Sequence, residues 1–301
     1  MIEFPTPSPQ ALQLSTELST VIRKEISAAG GSIPFSRYME LCLYAPGLGY
    51  YSAGQRKFGA GGDFVTAPEV SPLFGRCLAN ACRVVLQSLH GGDILEFGAG
   101  TGRLAIDVLG ELGRTECLPE RYLILERSAG LRQRQQQALQ RELPQLLDRV
   151  VWIDTLPQAG FRGVMLANEV LDAMAVERFQ WDGEVAGLFH VRSEGDTFQW
   201  QLQQQQDETT AAVESLASSC QLAPGYISEL NTGLSAWLQS LAATLQQGVM
   251  LLIDYGYPRH VYYHSRHSSG TLVCHSRLRA HVVPGRGPGG LAGRAGCART
   301  A

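Results

Sequence analysis

The sequence predicts an α/β protein built on a parallel, doubly wound sheet, and three observations predict it. Short apolar runs alternate with helical patterns between residues 93 and 168. A turn carrying three glycines joins the first of those runs to an amphipathic helix. The chain of 301 residues is 45% hydrophobic and 18% charged, enough apolar material to cover both faces of such a sheet.

The elements follow in order. Leu14, Leu18, Val21, Ile22 and Ile26 recur at helical spacing, and Gly30-Gly31 stops the run. PFSRYMELCLYA reads as a second helix that ends before Pro46, because the residue preceding a proline is pushed out of the α region. The glycine-rich stretch 46–70 is long for a loop inside a compact domain, which marks it as a binding loop. Ser71-Pro72 supplies an N-cap and an N1 proline for a helix whose expected core stripe is Leu73, Cys77, Ala81, Val84 and Val85. DILEF, RYLILE, VVWI and GVMLAN then read as buried strands, with RLAIDVLGEL and LRQRQQQALQREL as helices between them. Residues 176–202 turn to β-prone pieces with a hairpin at Asp182-Gly183, QLQQQQDETT reads as a solvated loop, and a helix over 227–247 leads through Gly248 into the strand VMLLI. The expected domains are a helical extension with its closing loop (1–90), a core with a β insertion (91–280), and an irregular Gly/Arg/Ala-rich tail (281–301).

Composition excludes several function classes. With 25 Lys+Arg against 28 Asp+Glu, the net charge of -3 gives no basic field for nucleic acid or an anionic membrane. MIEFPTPSPQ carries an acid and three prolines where an export signal would be basic, and no apolar run approaches a span of about 18 residues; a soluble cytoplasmic protein is expected. Seven cysteines without a CxxC pair read as reduced core thiols. His260, His264, His267, His275, His281 and Cys274 fit no compact two-plus-two zinc pattern, so no metal is expected.

The turn LEFGAGTG carries the chemistry. Glycines allow a tight bend and let a ligand approach the backbone N–H groups at a helix start. Gly98, Gly100 and Gly102 give G-x-G-x-G, with Arg103 where a dinucleotide fingerprint has its third glycine, which disfavours an NAD(P)-dependent oxidoreductase. Glu96, two residues before the first glycine, repels a pyrophosphate but attracts the ammonium and sulfonium of S-adenosylmethionine. Glu126, at the end of the second strand, is placed to accept both ribose hydroxyls. Asp154, ending the third strand, serves either the adenine amino group or a turn cap. Asn168, Glu169 and Asp172 follow the fourth strand at the ligand-facing edge, where they meet the acceptor or cap the next helix.

PFSRYMELCLYAPGLGYYS, GDFVTAPEVSPLFG, LEFGAGTGRLAIDVL, LERSAGLRQRQ, ANEVLDAMAVERF and LLIDYGYPR together resemble the class I methyltransferases related to the mitochondrial complex I assembly factor that methylates an arginine, over most of residues 30–275. The resemblance implies a Rossmann-like seven-stranded sheet with an N-terminal helical extension, S-adenosyl-L-methionine as cofactor, and a protein arginine, in an NADH dehydrogenase subunit, as acceptor. It implies that Glu96, Gly98, Gly100, Gly102 and Glu126 hold the cofactor, with Asp63, Thr66, Pro68 and Glu69 closing the site. Glu69, Glu169 and Asp172 are then the candidates for gripping a guanidinium. A non-catalytic assembly protein that binds S-adenosylmethionine for stability is the alternative. The resemblance stops after CHSRLRAH, where the family continues into its last strands; here VVPGRGPGGLAGRAGCARTA is expected to be a truncated or frameshifted end that leaves VMLLI with an open edge.

Overall fold

The computed structural model describes residues 9–52, 66–276, 279–282 and 298–300. Helix α1 (Pro9–Ala28) buries Leu18, Ile22 and Ile26. Strand β1 (Ser32–Pro34) runs directly into α2 (Phe35–Tyr44), which ends as Ala45 turns extended before Pro46. A short helix, α3 (Ala67–Val70), precedes α4 (Pro72–Leu89), whose cap is Ser71 accepting from Leu73 N. Then come β2 (Asp93–Phe97), α5 (Arg103–Arg114), β3 (Tyr122–Leu125), α6 (Ala129–Glu142), β4 (Val150–Ile153) and β5 (Phe161–Asn168). The hairpin strands β6 (Glu177–Trp181), β7 (Ala186–Glu194) and β8 (Thr197–Gln203) lead to α7 (Glu208–Cys220), where Asp207 and Thr210 form a reciprocal capping box. The chain continues with β9 (Tyr226–Leu230), α8 (Leu234–Thr244), β10 (Leu245–Ile253), α9 (Arg259–Tyr262), β11 (Leu272–Ser276), β12 (Arg279–Val282) and β13 (Ala298–Thr300).

Contacts divide the chain into two compact units, each assembled from separated segments. One comprises residues 56–171 and 235–254 and contains a five-stranded, wholly parallel sheet in the order β10-β5-β2-β3-β4. Alternate strand residues feed two cores. Ile94, Tyr122, Ile124, Val164 and Leu166 pack with Ala79, Cys82, Leu86 and Leu109 of α4 and α5, whereas Leu95, Phe97, Leu123 and Met165 pack with Trp237 and Leu241 of α8. Helices on both faces and a strand order that reverses between β2 and β5 make this the expected doubly wound sheet, with its crevice at the carboxyl ends of β2 and β5.

The other unit comprises residues 1–55, 172–234 and 255–301. Its sheet runs β1-β7-β6-β9 with β8 on β7, all antiparallel, and Phe179, Leu188, Val213, Leu216 and Tyr226 form a core between that sheet and α7. The Asp182-Gly183 hairpin lies where expected, between β6 and β7.

Several expectations are corrected. The helix expected over 227–247 is a strand, a shorter helix and the start of β10, because Tyr226–Leu230 pairs residue for residue with β6. In QLQQQQDETT, Gln201–Gln203 continue β8 through backbone pairing with β7 and Glu208 opens α7, so only the middle is loop. The tail expected over 281–301 also contains paired backbone: residues 281–282, at the end of β12, and 298–300 pair with β11, since ladder hydrogen bonds require no side-chain periodicity. Helix α4 is rotated from its expected stripe. Gly75, Ala79, Cys82, Leu86 and Leu89 face inward, while Leu73 is 63% and Val84 62% exposed. Gly75 sets that rotation: a Cβ there would stand 2.4 Å from Asp107 Cβ of α5, a close crossing that only glycine permits. Cys77 is exposed for the same reason; Cys42 and Cys82 are buried, Cys117 and Cys220 are half-buried, and all five are free thiols. No helix of the described residues is long and apolar enough to cross a membrane.

Candidate functional site

The crevice of the parallel sheet is floored by the turn between β2 and α5. Gly98, Gly100 and Gly102 all take positive φ (62°, 54° and 85°), which is why each is glycine. Gly98 N donates to Leu125 O and Gly102 N to Ala99 O, pinning the turn to the end of β3 and to itself. Helix α5 starts at Gly102 without a side-chain cap, leaving its first N–H groups to the loop.

Glu126 stands where the sequence places it, immediately beyond β3, and is 8% exposed. Oε1 accepts from Ser128 N at 2.9 Å and Oε2 from Gln135 Nε2 at 3.2 Å. Burial raises the Glu126 pKa, and the hydrogen bonds from Ser128 and Gln135 oppose that shift. Glu96 is not an open crevice acid as its position suggests. It is buried beneath the glycine turn, Tyr122 Oη donates to its Oε2 at 2.8 Å, and burial pushes its carboxyl up to about 7 despite that bond.

Thr66 precedes α3 and its carbonyl accepts from Glu69 N, Pro68 is buried, and Glu69 accepts from Thr101 Oγ1 inside the glycine turn. The structure thus brings the second half of the closing loop onto the turn; Asp63 lies outside the described residues. Asp154 follows β4 with its side chain 76% exposed and pairs with Arg132, whose guanidinium also reaches Glu126 O and Ile153 O. Asn168 closes β5 beside Ile253 of β10.

Glu169 has φ 52°, a left-handed backbone that a non-glycine residue adopts at a cost of about 1–3 kcal/mol. Its N–H donates to Ile253 O, and Leu171 N donates to Asp254 Oδ2, so the end of β10 holds this turn in place. Asp172 is buried and belongs to the other unit. Among the described residues no three His, Cys, Asp or Glu side chains come together as metal ligands would.

Sequence reasoning missed Thr101, Arg132, Gln135, Tyr122 and Asp254. Gln135 alone left a legible trace: it is the polar member of the row Leu131, Gln135, Leu139 that α6 buries.

A glycine turn at the switch point of a parallel sheet, with one acid under it and another ending the next strand, defines a nucleoside-cofactor crevice. Its three left-handed glycines and the hydrogen-bonded carboxylate of Glu126 fit the ribose and charged tail of S-adenosyl-L-methionine. Residues 77–291 match a family described as "Putative S-adenosyl-L-methionine-dependent methyltransferase", and the chain belongs to that family. S-adenosyl-L-methionine is its cofactor. A Burkholderia thailandensis protein crystallised with S-adenosyl-homocysteine is 39% identical, with a TM-score of 0.91 over 99% of this chain and 76% of that one. The zebrafish (Danio rerio) protein arginine methyltransferase NDUFAF7 is 29% identical over 81% of this chain and 64% of its own length. The Caenorhabditis elegans homologue of that protein is 30% identical over 51% of this chain and 41% of its own. The chain therefore spans less than two thirds of these two curated relatives.

Proposed function

We propose that this chain transfers a methyl group from S-adenosyl-L-methionine to an arginine of a protein substrate. The observation that carries the reading is the strained Glu169, an acid held in a left-handed turn at the carboxyl end of β5 beside the cofactor crevice. The arginine specificity draws on the names of the zebrafish and nematode relatives, proteins called arginine methyltransferases.

The cofactor supplies an electrophilic methyl on a sulfonium: as the acceptor nitrogen forms the new C–N bond the C–S bond breaks, its electron pair stays on sulfur, and S-adenosyl-homocysteine leaves. The protein's residues do the positioning. Glu126 takes the ribose hydroxyls and the glycine turn admits the backbone close to the ligand. A guanidinium, with a pKa above about 12, is a poor nucleophile until a carboxylate fixes one nitrogen and receives its proton. Glu169 takes that role. Asp172 is the second acid of the same segment, and Glu69, bonded to Thr101, serves the donor side of the turn. An NADH dehydrogenase subunit, the acceptor class the resemblance implies, is the first substrate to try, and the cytoplasm the compartment in which to look.

Calorimetric titration with S-adenosyl-homocysteine should show Glu126→Ala weakening binding by about 1.5–3 kcal/mol, the worth of hydrogen bonds to a charged group. Glu169→Gln should keep that affinity and lose methyl transfer to arginine, followed by mass spectrometry of respiratory-complex subunits. Asp172→Asn belongs in the same assay. Wild-type turnover by Glu169→Gln would remove Glu169 from the acceptor side. Tight binding without any transfer would favour the non-catalytic assembly role.

A further inference from the structure

Helix α6 buries one row, Leu131, Gln135 and Leu139, and its middle member is a completely buried amide. Every polar atom of that amide is engaged on a different part of the fold. Nε2 donates to Gly100 O at 3.0 Å and to Glu126 Oε2 at 3.2 Å, and Oε1 accepts from Trp152 Nε1 at 2.9 Å. The indole N–H can only donate, so Oε1 must face Trp152 and Nε2 must face the two oxygens; the orientation of the amide is fixed by its partners. One side chain thereby joins the glycine turn, the acid beyond β3 and the strand β4. Helix and turn are also in contact, since a Cβ on Gly102 would lie 3.4 Å from Gln135 Cα.

We propose that Gln135 is a positioning residue of the cofactor site, which aims the Glu126 carboxylate at the ribose hydroxyls and holds the Gly100 carbonyl turned toward α6. The inference rests on the reading of Glu126 as the ribose acid. A buried carboxylate with no N–H donors is driven to its neutral form, which loses acceptor capacity. Ser128 N and Gln135 Nε2 each satisfy one oxygen and leave the remaining lone pairs for two hydroxyls. A leucine of similar volume would fill the same space and supply none of this.

The experiment titrates S-adenosyl-homocysteine, and its analogue lacking the ribose 2′-hydroxyl, into wild type, Gln135→Glu, Gln135→Leu and Trp152→Phe at pH 5.5 and pH 8. Neutral glutamic acid reproduces a donor and an acceptor; ionised, it faces Glu126 and Gly100 O with negative charge. The ionisable groups around it, Glu96 on β2, Glu126 beyond β3, Arg132 on α6 and Asp154 after β4, are common to all the proteins, so the ratio to wild type at each pH isolates residue 135. Gln135→Glu should bind within about threefold of wild type at pH 5.5 and at least tenfold more weakly at pH 8. Gln135→Leu should lose tenfold or more at both, with a smaller loss for the deoxy analogue. Trp152→Phe, which keeps an aromatic ring at this half-buried position and removes the bond that orients the amide, should fold and lose about three- to tenfold. A pH-independent ratio for Gln135→Glu, or equal losses on both ligands with no effect of Trp152→Phe, would overturn the positioning role. If wild type binds neither ligand, the reading of Glu126 falls with it; if wild type binds and only Glu126→Ala weakens it, Gln135 is a packing residue alone.

Discussion

Glu96 illustrates how a residue legible by position can be misjudged by environment. Two places before the first glycine, it reads as an acid facing the ligand; in the structure it lies beneath the turn, bonded by Tyr122, with burial holding its carboxyl near 7 against an ordinary 4.5. The native chain keeps a proton that the unfolded chain releases. This group's contribution to stability is therefore complete below about pH 4.5 and is lost as pH rises through about 7. Measured by urea unfolding, the stability of wild type relative to Glu96→Gln should fall by about 3 kcal/mol across that window, since each tenfold change in proton affinity is worth about 1.4 kcal/mol. A difference that does not change with pH would place the Glu96 carboxylate in contact with water. The residues of the site divide by how they announce themselves. The left-handed turn of Gly98, Gly100 and Gly102 and the place of Glu126 just beyond β3 were readable because a tight strand-turn-helix calls for glycines at that spacing. Thr101 and Gln135 act through hydrogen bonds between distant segments, and the left-handed backbone of Glu169 is imposed by Ile253 on a strand that follows much later in the chain.

Among the elements, the inner strands of the parallel sheet were legible because a strand buried on both faces is a short unbroken apolar run, as in YLIL of β3 and GVMLA of β5. Helix α4 was legible in extent and not in rotation. Its apolar residues spread around much of the helix between Arg76, Asn80, Arg83 and Gln87, and the side that turns inward is decided by Gly75, a residue that carries no hydrophobic signal. Gly75→Ala should therefore destabilise the protein by about 1–3 kcal/mol, an overpacking cost that outweighs alanine's better helix propensity. Leu73→Ser on the exposed side should change stability by no more than about 0.5 kcal/mol. Denaturant midpoints of the two variants decide the point, and an inert Gly75→Ala would mean that α4 and α5 separate freely. Strand β9 was illegible because it buries two adjacent polar residues on opposite faces, Ser228 and Glu229; backbone pairing with β6 holds the strand, and Thr271 donates to Glu229 Oε2.

At the scale of the molecule, the parallel sheet ends on β10, and among the described residues no strand pairs with its outer edge. Residues 249–253 are half-buried, with side chains serving both cores and one row of backbone groups unpaired. In native-state hydrogen exchange the β10 amides should exchange well before those of β2, which is paired on both sides; protection of β10 equal to that of β2 would show that its edge is covered. The order of the strands has a second consequence, which concerns the chain as it leaves the ribosome. β2 emerges first, then β3 beside it and β4 beside that, while β5 comes next to the other side of β2. Each newcomer finds its neighbour already made, so the sheet is able to grow outward during translation without waiting for distant sequence. β10 is the exception, delivered only after the whole excursion from Asp172 to Leu234 has been synthesised. Until then β5 waits unpartnered on that side, and Glu169 lacks the carbonyl that holds its turn, so the nascent chain has a complete glycine turn before it has a complete acceptor edge.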